Sequence, residues 1–329
     1  MYPIKNLVFE GGGILGIAYL GALDYLDEID LLPQIEKVAG TSTGAFTCCL
    51  TSFNLPFQEL KKIASTLDYK KLPEEKVIPL RNVDDVFKKT FEKIFGDMHS
   101  VYRLINNYGW YSTNYFYSWI KKVIASQFDA NKKKPPYTFE DFKNADLHID
   151  NRTFKDLYIV GTDVSAKTSV VFSYETTPKM EVAEAVRISL SVPLLFEAIK
   201  ISDRASNTTN NYIFVDGGLM RNYPINMFDY HGINYETLGI QFRNKIKYSE
   251  TKNLISYIGN LFNALLKAQE DMYNNDSANK QRTININTGG LTSLDFQISE
   301  ADSKFLYKQG YDAASDYFEE RYNANRFIY

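Results

Sequence analysis

The chain has 329 residues, 44% of them hydrophobic, and a formal net charge of −3. This composition is typical of a globular protein, and the length fits one large α/β domain or two ordinary ones. A near-neutral chain has no general attraction to phosphate backbones, which argues against a nucleic-acid partner.

The first 50 residues alternate between strands and helices. Apolar runs predict strands at residues 7–9 and 37–39, and helical periodicity predicts helices at 15–26 and 45–53. This order implies a parallel sheet with covering helices. No signal peptide precedes the first strand, and no apolar run reaches the ~20 residues that cross a bilayer. We therefore expect a cytoplasmic protein without a transmembrane segment, or one exported without a Sec-type signal.

The pattern becomes helical and aromatic-rich between about residues 56 and 150, which we interpret as a helical insertion. Beyond it, strands are predicted at 157–160, 169–172, 212–215 and 237–242, a loop at 207–211, and helices at 182–190, 254–271 and 303–322. Within the insertion, a helix is predicted at 115–126. We expect one domain over residues 1–329, with a core at about 5–230 and a helical C-terminal part at about 245–329.

The cysteines and histidines do not form a recognisable site. Cys48 and Cys49 are adjacent and lie in an apolar run, which favours buried free thiols over a disulfide framework. His99, His148 and His231 lie far apart, and neither C-x-x-C nor H-E-x-x-H occurs. No metal site is expected from these spacings.

A glycine turn carries the first candidate for catalysis. The second predicted strand runs into Gly40-Thr41-Ser42-Thr43-Gly44, a G-x-S-x-G sequence that is followed by a helix. A serine between a strand and a helix is the context of a nucleophile elbow, where flanking glycines relieve the clash of the sharp turn. The helix N-terminus adds partial positive charge. We interpret Ser42 as a nucleophile.

An earlier glycine turn allows two readings. Gly11, Gly13 and Gly16 spell G-x-G-x-x-G, the pattern of a dinucleotide-binding turn. That site needs an acidic residue at the end of the second strand, whereas Glu36 lies at its beginning. The favoured reading is an oxyanion hole, since the amides of Gly11, Gly12 and Gly13 can approach a tetrahedral intermediate on the neighbouring serine.

A serine hydroxyl is a poor nucleophile until a base takes its proton. The three histidines read as structural or surface residues. Asp216 is the better candidate: it ends an apolar strand and is followed by Gly217 and Gly218, which allow close approach to another loop. Asp163 is expected to brace a loop, and Asp229 is expected to be exposed in a helix.

These elements together resemble the patatin-like phospholipase family. The resemblance covers residues 6 to about 226 and rests on motifs in a fixed order: GGGILG at 11–16, GTSTG at 40–44, AVRISLSVPLLFEAI at 185–199 and DGGLMRNYPI at 216–225. Weaker similarities are YGWYSTNYFYSWI at 108–120 and GTDVSAKTSVVFS at 161–173.

The resemblance implies a three-layer α/β/α sandwich with a mainly parallel central sheet and a helical insertion. It implies a Ser–Asp dyad of Ser42 and Asp216 that cleaves fatty-acyl esters, as in a phospholipase A, through an acyl-serine, with no metal or other cofactor. The glycines that carry over are Gly11, Gly12 and Gly13 for the oxyanion hole, and Gly16, Gly40, Gly44, Gly217 and Gly218 as motif support.

One position departs from the family pattern. Family members usually carry Arg or Lys where this chain has Leu15, so a positive charge near the oxyanion or headgroup is lost. Arg187 and Arg221 remain as cations near the other motifs. Two alternatives to the hydrolase stay open: an acyltransferase with the same dyad, and a catalytically silent lipid-binding protein of this fold.

The expected partner is a phospholipid or other acyl-lipid substrate. Since a lipase meets its substrate at an interface, transient peripheral contact with a membrane surface is expected. The oligomeric state is left open. The insertion supplies aromatic side chains that suit an ordinary core, with some of them lining an acyl channel; these are Tyr108, Trp110, Tyr111, Tyr115, Phe116, Tyr117 and Trp119.

Overall fold

The structure, a computed structural model, describes residues 3–74, 98–202, 211–243, 248, 250–273 and 276–326. Part of the predicted insertion, 75–97, lies outside the described residues, as does all of the predicted loop at 207–211 except Asn211.

The six helices that were predicted individually agree with the structure to within four residues at each end. Among those described, no helix is both long and apolar enough to span a bilayer. The described helices are α1 (Ile17–Glu28), α2 (Thr43–Ser52), α3 (Phe57–Ala64), α4 (Met98–Asn107), α5 (Asn114–Ala125), α6 (Phe139–Phe142), α7 (Val182–Ser189), α8 (Leu254–Tyr273), α9 (Ser277–Gln281) and α10 (Glu300–Arg326).

The strands form a large sheet and a small one. They are β1 (Asn6–Phe9), β2 (Lys37–Thr41), β3 (Gly109–Tyr111), β4 (Asp156–Asp163), β5 (Thr168–Phe172), β6 (Leu194–Phe196), β7 (Ile199–Ser202), β8 (Asn211–Asp216), β9 (Thr237–Arg243) and β10 (Thr283–Asn287). The large sheet has the order β10-β9-β1-β2-β4-β8-β7, with β5 also paired to β4.

The centre of the large sheet is parallel. Strands β10, β9, β1, β2 and β4 pair in parallel, whereas β8 runs antiparallel to both β4 and β7, and β5 antiparallel to β4. The predicted α/β fold with a mainly parallel central sheet is therefore confirmed. The antiparallel direction of β8 is an addition that the sequence pattern did not indicate.

The central strands are buried on both faces, as expected for parallel strands between two covering layers. Leu7 and Phe9 point into the larger core with the helices, while Val8 points to the opposite face. On that opposite face the described cover includes a turn segment, with Tyr223 and Ile225 packed against Val8 and its neighbours.

Helices α1 and α10 pack with unusually close backbones. A Cβ at Gly21 of α1 would lie 1.8 Å from the carbonyl oxygen of Tyr307, and one at Gly310 of α10 would lie 1.8 Å from that of Ala18. Glycine at both positions lets the two helices touch along their main chains, so the C-terminal helix is docked tightly on the first one.

Two strands lie where the sequence analysis placed only helices. In the predicted helical insertion, β3 pairs in parallel with β6, which ties the insertion to the core region. In the C-terminal part, β10 extends the large sheet beyond β9. Both strands are short, and neither stands out from helical neighbours by hydrophobic pattern alone.

Candidate active site

The strand register brings Ser42 and Asp216 to the same level of the sheet. The last residue of β2, Thr41, pairs with Val160 of β4. The next residue of β4, Gly161, pairs with Asp216 at the end of β8. Because β4 extends beyond β2, it carries the antiparallel strand β8 to the edge where the serine turn lies.

Ser42 sits on a strained turn between β2 and α2. Its backbone has φ 53° and ψ −125°, a conformation that L-residues with a Cβ seldom adopt. Its N–H donates to Oγ of Ser189 at 2.9 Å, and its carbonyl accepts the first bond of α2, from Phe46 N at 3.1 Å. The predicted strand–serine–helix elbow is therefore present, and Ser42 is 6% exposed.

Asp216 is fully buried beside this serine. Its Oδ1 accepts a hydrogen bond from the N–H of Gly218 at 2.6 Å, while Oδ2 has no hydrogen-bond partner within the described part of the chain. Burial raises the pKa of this carboxyl to about 7, and its interactions with the Ser42 hydroxyl and the Gly218 N–H oppose the rise. The carboxyl can therefore gain or lose a proton near neutral pH.

The first glycine turn packs directly on the elbow. A Cβ at Gly11 would lie 3.1 Å from Cβ of Ser42, so the two loops are in contact. Gly13 has φ +53°, where a side chain would be strained, and the carbonyl oxygen of Ser293 fills the space of its missing Cβ. Ser293 O also accepts from Ile14 N at 2.9 Å and thereby fixes the end of the loop.

The three predicted oxyanion donors are not equivalent. The N–H of Gly11 donates to the carbonyl oxygen of Asn222 at 3.0 Å. The prediction that its amide serves as a donor is thus wrong for this conformation, because that N–H is already used to hold the loop. The N–H groups of Gly12 and Gly13 donate to no protein acceptor among the residues described.

The other motif glycines allow close approach of backbones or side chains. A Cβ at any of them would come closer than 3.0 Å to a neighbouring atom. They are Gly16, against Thr43; Gly40, against Gly44; Gly44, against Phe9; Gly217, against Val160; and Gly218, against Asn222.

Sequence reasoning missed two polar residues beside the glycine loop. Glu10 is 7% exposed; its Oε2 accepts from Phe242 N at 2.8 Å and its Oε1 from Nδ2 of Asn222 at 3.2 Å. Burial raises the pKa of Glu10 to about 8. Glu10 directly precedes the glycines and Asn222 stands within the DGGLMRNYPI motif, so an acid or amide flanking a glycine turn was the available signal.

An apolar cleft opens at Ser42. It encloses about 600 Å³ of empty space when its open mouth is included. Its polar end holds Gly13, Ser42 and Thr43. The remaining lining is almost entirely apolar: Phe46, Leu67, Tyr69, Leu72, Thr113, Phe116, Leu190, Val192, Phe196, Leu294 and Phe296. Of the predicted aromatic set, Phe116 lines this cleft.

Among the residues described, no histidine or cysteine lines this cleft. The His148 ring stacks on Phe154 and bonds to the main-chain oxygens of Asp141 and Arg152, while His231 is exposed. Cys48 and Cys49 are buried free thiols. In the described ranges, no group of three or more His, Cys, Asp or Glu side chains could hold a metal ion.

The two other aspartates behave differently from each other. Asp163 accepts a bond from Ala166 N at 3.0 Å, in line with the expectation that it braces a loop. The prediction for Asp229 is wrong: it lies outside any helix, and its side chain forms a two-point ion pair with Arg282, at 2.5 and 2.7 Å. The pairing with a cation 53 residues away leaves the Asp229 side chain only 14% exposed.

Comparison with known proteins decides the family. The model of the patatin-like phospholipase family matches residues 7–229, which is more than half of the chain. The chain belongs to the patatin-like phospholipase family. The family match ends before α8, so the C-terminal helices and β10 lie outside it.

The relatives differ in how much of their length is matched. The uncharacterized protein YqhO of Bacillus subtilis strain 168 is 25% identical over 314 residues, 92% of this chain and 94% of that protein. The uncharacterized protein R571 of Acanthamoeba polyphaga mimivirus is 26% identical over 73% of this chain and 66% of its own. The probable lipid hydrolase 463L of Invertebrate iridescent virus 6 is 26% identical over 69% of this chain and 64% of its own.

Two solved structures share the fold. VipD from Legionella pneumophila superposes with a TM-score of 0.60 at 19% identity, covering 97% of this chain and 67% of that one. The structure of full-length SpcU in complex with full-length ExoU from the Pseudomonas aeruginosa type III secretion system gives 0.50 at 17% identity, covering 97% and 53%. At these identities the likeness shows the fold alone.

The position where this patatin-like chain departs from its family is filled by a core residue. Leu15 is 2% exposed and packs in the larger core, so an apolar side chain there is well accommodated. Arg187 donates to Oγ1 of the cleft residue Thr113 at 2.7 Å and pairs with Glu184. Arg221 donates to Asn226 at 2.6 Å. Neither arginine lines the cleft.

Proposed function

We propose that this protein is a serine lipid acyl hydrolase of the phospholipase A type, with Ser42 as nucleophile and Asp216 as base. The observation that carries the proposal is the pairing of a serine on a strained elbow with a buried aspartate whose Oδ2 lacks a described partner. A carboxyl with a pKa of about 7 is suited to accept and return a proton at neutral pH.

In the proposed reaction, Asp216 takes the hydroxyl proton while Oγ of Ser42 attacks the ester carbonyl. The resulting oxyanion accepts hydrogen bonds from the Gly12 and Gly13 amides, and each such donor is worth about 3–4 kcal/mol of barrier in other enzymes. The tetrahedral intermediate collapses, the alcohol leaves with the proton from Asp216, and an acyl-Ser42 ester remains. Water then attacks this ester with Asp216 again as base, which releases the fatty acid and restores Ser42.

The cleft supports a fatty-acyl substrate. Beyond its polar end at Ser42 the wall is almost entirely apolar, so it can take up an alkyl chain, and each buried CH₂ group contributes about 0.8 kcal/mol. Membership of the patatin-like phospholipase family and the similarity to 463L, a probable lipid hydrolase, point to the same class. A phospholipid is the substrate that we propose.

We also propose that the protein reaches this lipid by transient contact with a membrane surface. Helix α8 forms part of the packing behind the cleft, where Ile258 and Phe262 contact Val192 and Phe196. The adjoining side of the helix exposes Leu254, Tyr257 and Leu261 at 46%, 55% and 54%. Residues 254–266 contain no charged side chain. An uncharged, outward apolar surface beside the acyl cleft fits the headgroup boundary of a bilayer.

The test of the hydrolase is labelling with a fluorophosphonate, which reacts with an activated serine, followed by intact-mass measurement. We expect one adduct on the wild type, none on Ser42→Ala, and much slower labelling of Asp216→Asn. The matched control is Asp163→Asn, because Asp163 is also buried, 5% exposed, and lies on the neighbouring strand; it should label at the wild-type rate.

Other outcomes contradict the proposal in distinct ways. A folded wild type that takes no adduct would indicate a silent lipid-binding protein. An adduct that persists in Ser42→Ala would identify another serine. A labelled enzyme that transfers the acyl group to an alcohol in preference to water would indicate the acyltransferase alternative.

A further inference from the structure

Helix α8 lies beyond the family match, yet its last turns contact the candidate active site. The side chain of Gln269 reaches the turn that follows Asp216. Its Nε2 donates to the carbonyl oxygen of Gly218 at 2.8 Å, and its Oε1 accepts from the N–H of Asn222 at 2.9 Å. One amide side chain therefore spans the turn from its second residue to its end.

Asn222 extends this connection to the glycine loop. Its carbonyl oxygen accepts from Gly11 N at 3.0 Å, and its Nδ2 donates to Gly11 O at 3.1 Å and to Glu10 at 3.2 Å. Hydrogen bonds thus connect the aspartate turn to the glycine loop. They run from Gln269 to Asn222, and from Asn222 to Gly11 and Glu10.

A second link joins the same helix to the glycine loop. Asn263 of α8 accepts a hydrogen bond from Oγ of Ser293 at 3.0 Å. The carbonyl oxygen of Ser293 accepts from Ile14 N and fills the space beside Gly13. Helix α8 is therefore hydrogen-bonded near both loops. Gln269 bonds to the turn that follows Asp216, and Asn263 bonds to Ser293, which holds the glycine loop at Ile14.

We propose that Gln269 is a positioning residue for the reaction: it fixes the Asp216 turn and, through Asn222, the glycine loop relative to Ser42. This rests on the proposed hydrolase function. Gln269 touches no reacting atom. Its effect comes from geometry, since a base or oxyanion donor displaced by about 1 Å can cost up to about 100-fold in rate.

The experiment compares Gln269→Ala and the similarly sized Gln269→Met with Asn260→Ala. Asn260 is an amide on the same helix that bonds to Thr251 on an exposed side, so its removal controls for a general effect on α8. Three quantities are measured: the fluorophosphonate labelling rate, kcat and KM for a short soluble ester, and hydrogen–deuterium exchange of residues 217–222.

We expect both Gln269 variants to lose about tenfold or more in labelling rate and kcat, with KM within about twofold of wild type, because positioning affects the chemical step more than ground-state binding. Exchange at residues 217–222 should accelerate, and most of all at the Asn222 amide. Asn260→Ala should match the wild type in all three measurements.

Two results would overturn the inference. Unchanged exchange would mean that Gln269 does not hold the turn. Faster exchange with unchanged labelling and kcat would mean that it holds the turn without positioning the reaction. A wild type that takes no label overturns the hydrolase itself, and the exchange data then decide separately whether Gln269 holds the turn.

Discussion

Asp216 and Ser42 differ from ordinary surface residues by their surroundings rather than by their chemistry. Asp216 is fully buried, its Oδ2 has no hydrogen-bond partner among the residues described, and burial raises its pKa to about 7. Glycine turns and an apolar strand predicted the turns on which both residues lie, because close backbone approach leaves a local pattern in sequence. The Asp229–Arg282 pair and Gln269 could not be predicted, since each depends on a partner more than 40 residues away.

We expect the labelling of Ser42 to depend on pH through the protonation of Asp216. The base form of Asp216 is the carboxylate, so the rate of Ser42 labelling should be low at pH 5, rise with pH, and reach half its maximum at about pH 7. Glu10→Gln controls for the other buried carboxyl and should keep this midpoint. A labelling rate independent of pH between 5 and 9 would refute Asp216 as the base.

Among the secondary-structure elements, the longest helices were predicted, whereas several short helices and strands were not. Long helices such as α1 and α8 carry several turns of apolar periodicity, whereas β3 and β10 contain three and five residues. The position of so short a strand is determined by the strand with which it pairs, and its own residues do not identify that partner. The direction of β8 could not be predicted either, because an apolar run does not indicate whether the strand pairs parallel or antiparallel to β4.

The proposed membrane contact of the outward side of α8 can be tested by substitution. The double variant Tyr257→Glu with Leu261→Glu should reduce flotation with anionic phospholipid vesicles about tenfold, because two apolar contacts are replaced by charge. Cleavage of a short soluble ester should stay near the wild-type rate. The control is Ile29→Glu, a similarly exposed apolar site at 39% that lies at the far end of α1 from the glycine loop. Equal flotation of all proteins would count against this surface.

At the scale of the whole molecule, the buried carboxyls near the glycine turns lower stability as pH rises. The folded-state pKa of Glu10 is about 8, against an ordinary glutamate pKa of 4.5, so folding favours the protonated form. Its contribution to the free energy of unfolding is complete below about pH 4.5 and is lost as pH rises through about 8.

This direction of the pH effect on stability can be tested by removing the Glu10 charge. Glu10→Gln keeps an uncharged side chain at all pH values, so its Tm relative to wild type should increase by about 5 °C or more between pH 5 and pH 9. Thermal unfolding at several pH values measures this difference, in which the other titrating groups cancel. A Tm difference that does not vary with pH would show that Glu10 is not protonated in the folded protein.

The overall topology was predicted from the sequence only in part. The β-loop-α-β-turn-α start and the parallel centre follow from local patterns. The position of β9 beside β1 does not, because this pairing joins residues more than 200 positions apart, and β10 joins the sheet only through β9. Sheet order depends on which edges remain open after the first strands have paired.

The close docking of α10 on α1, together with the place of β1 between β2 and β9, has a consequence for biosynthesis. When the ribosome has released the serine turn, one side of the first strand still lacks its neighbour and the first helix still lacks its cover. Both arrive only with the last third of the polypeptide. The nascent chain therefore cannot complete this architecture vectorially, and a ribosome stalled before α10 would hold an apolar surface that chaperones bind.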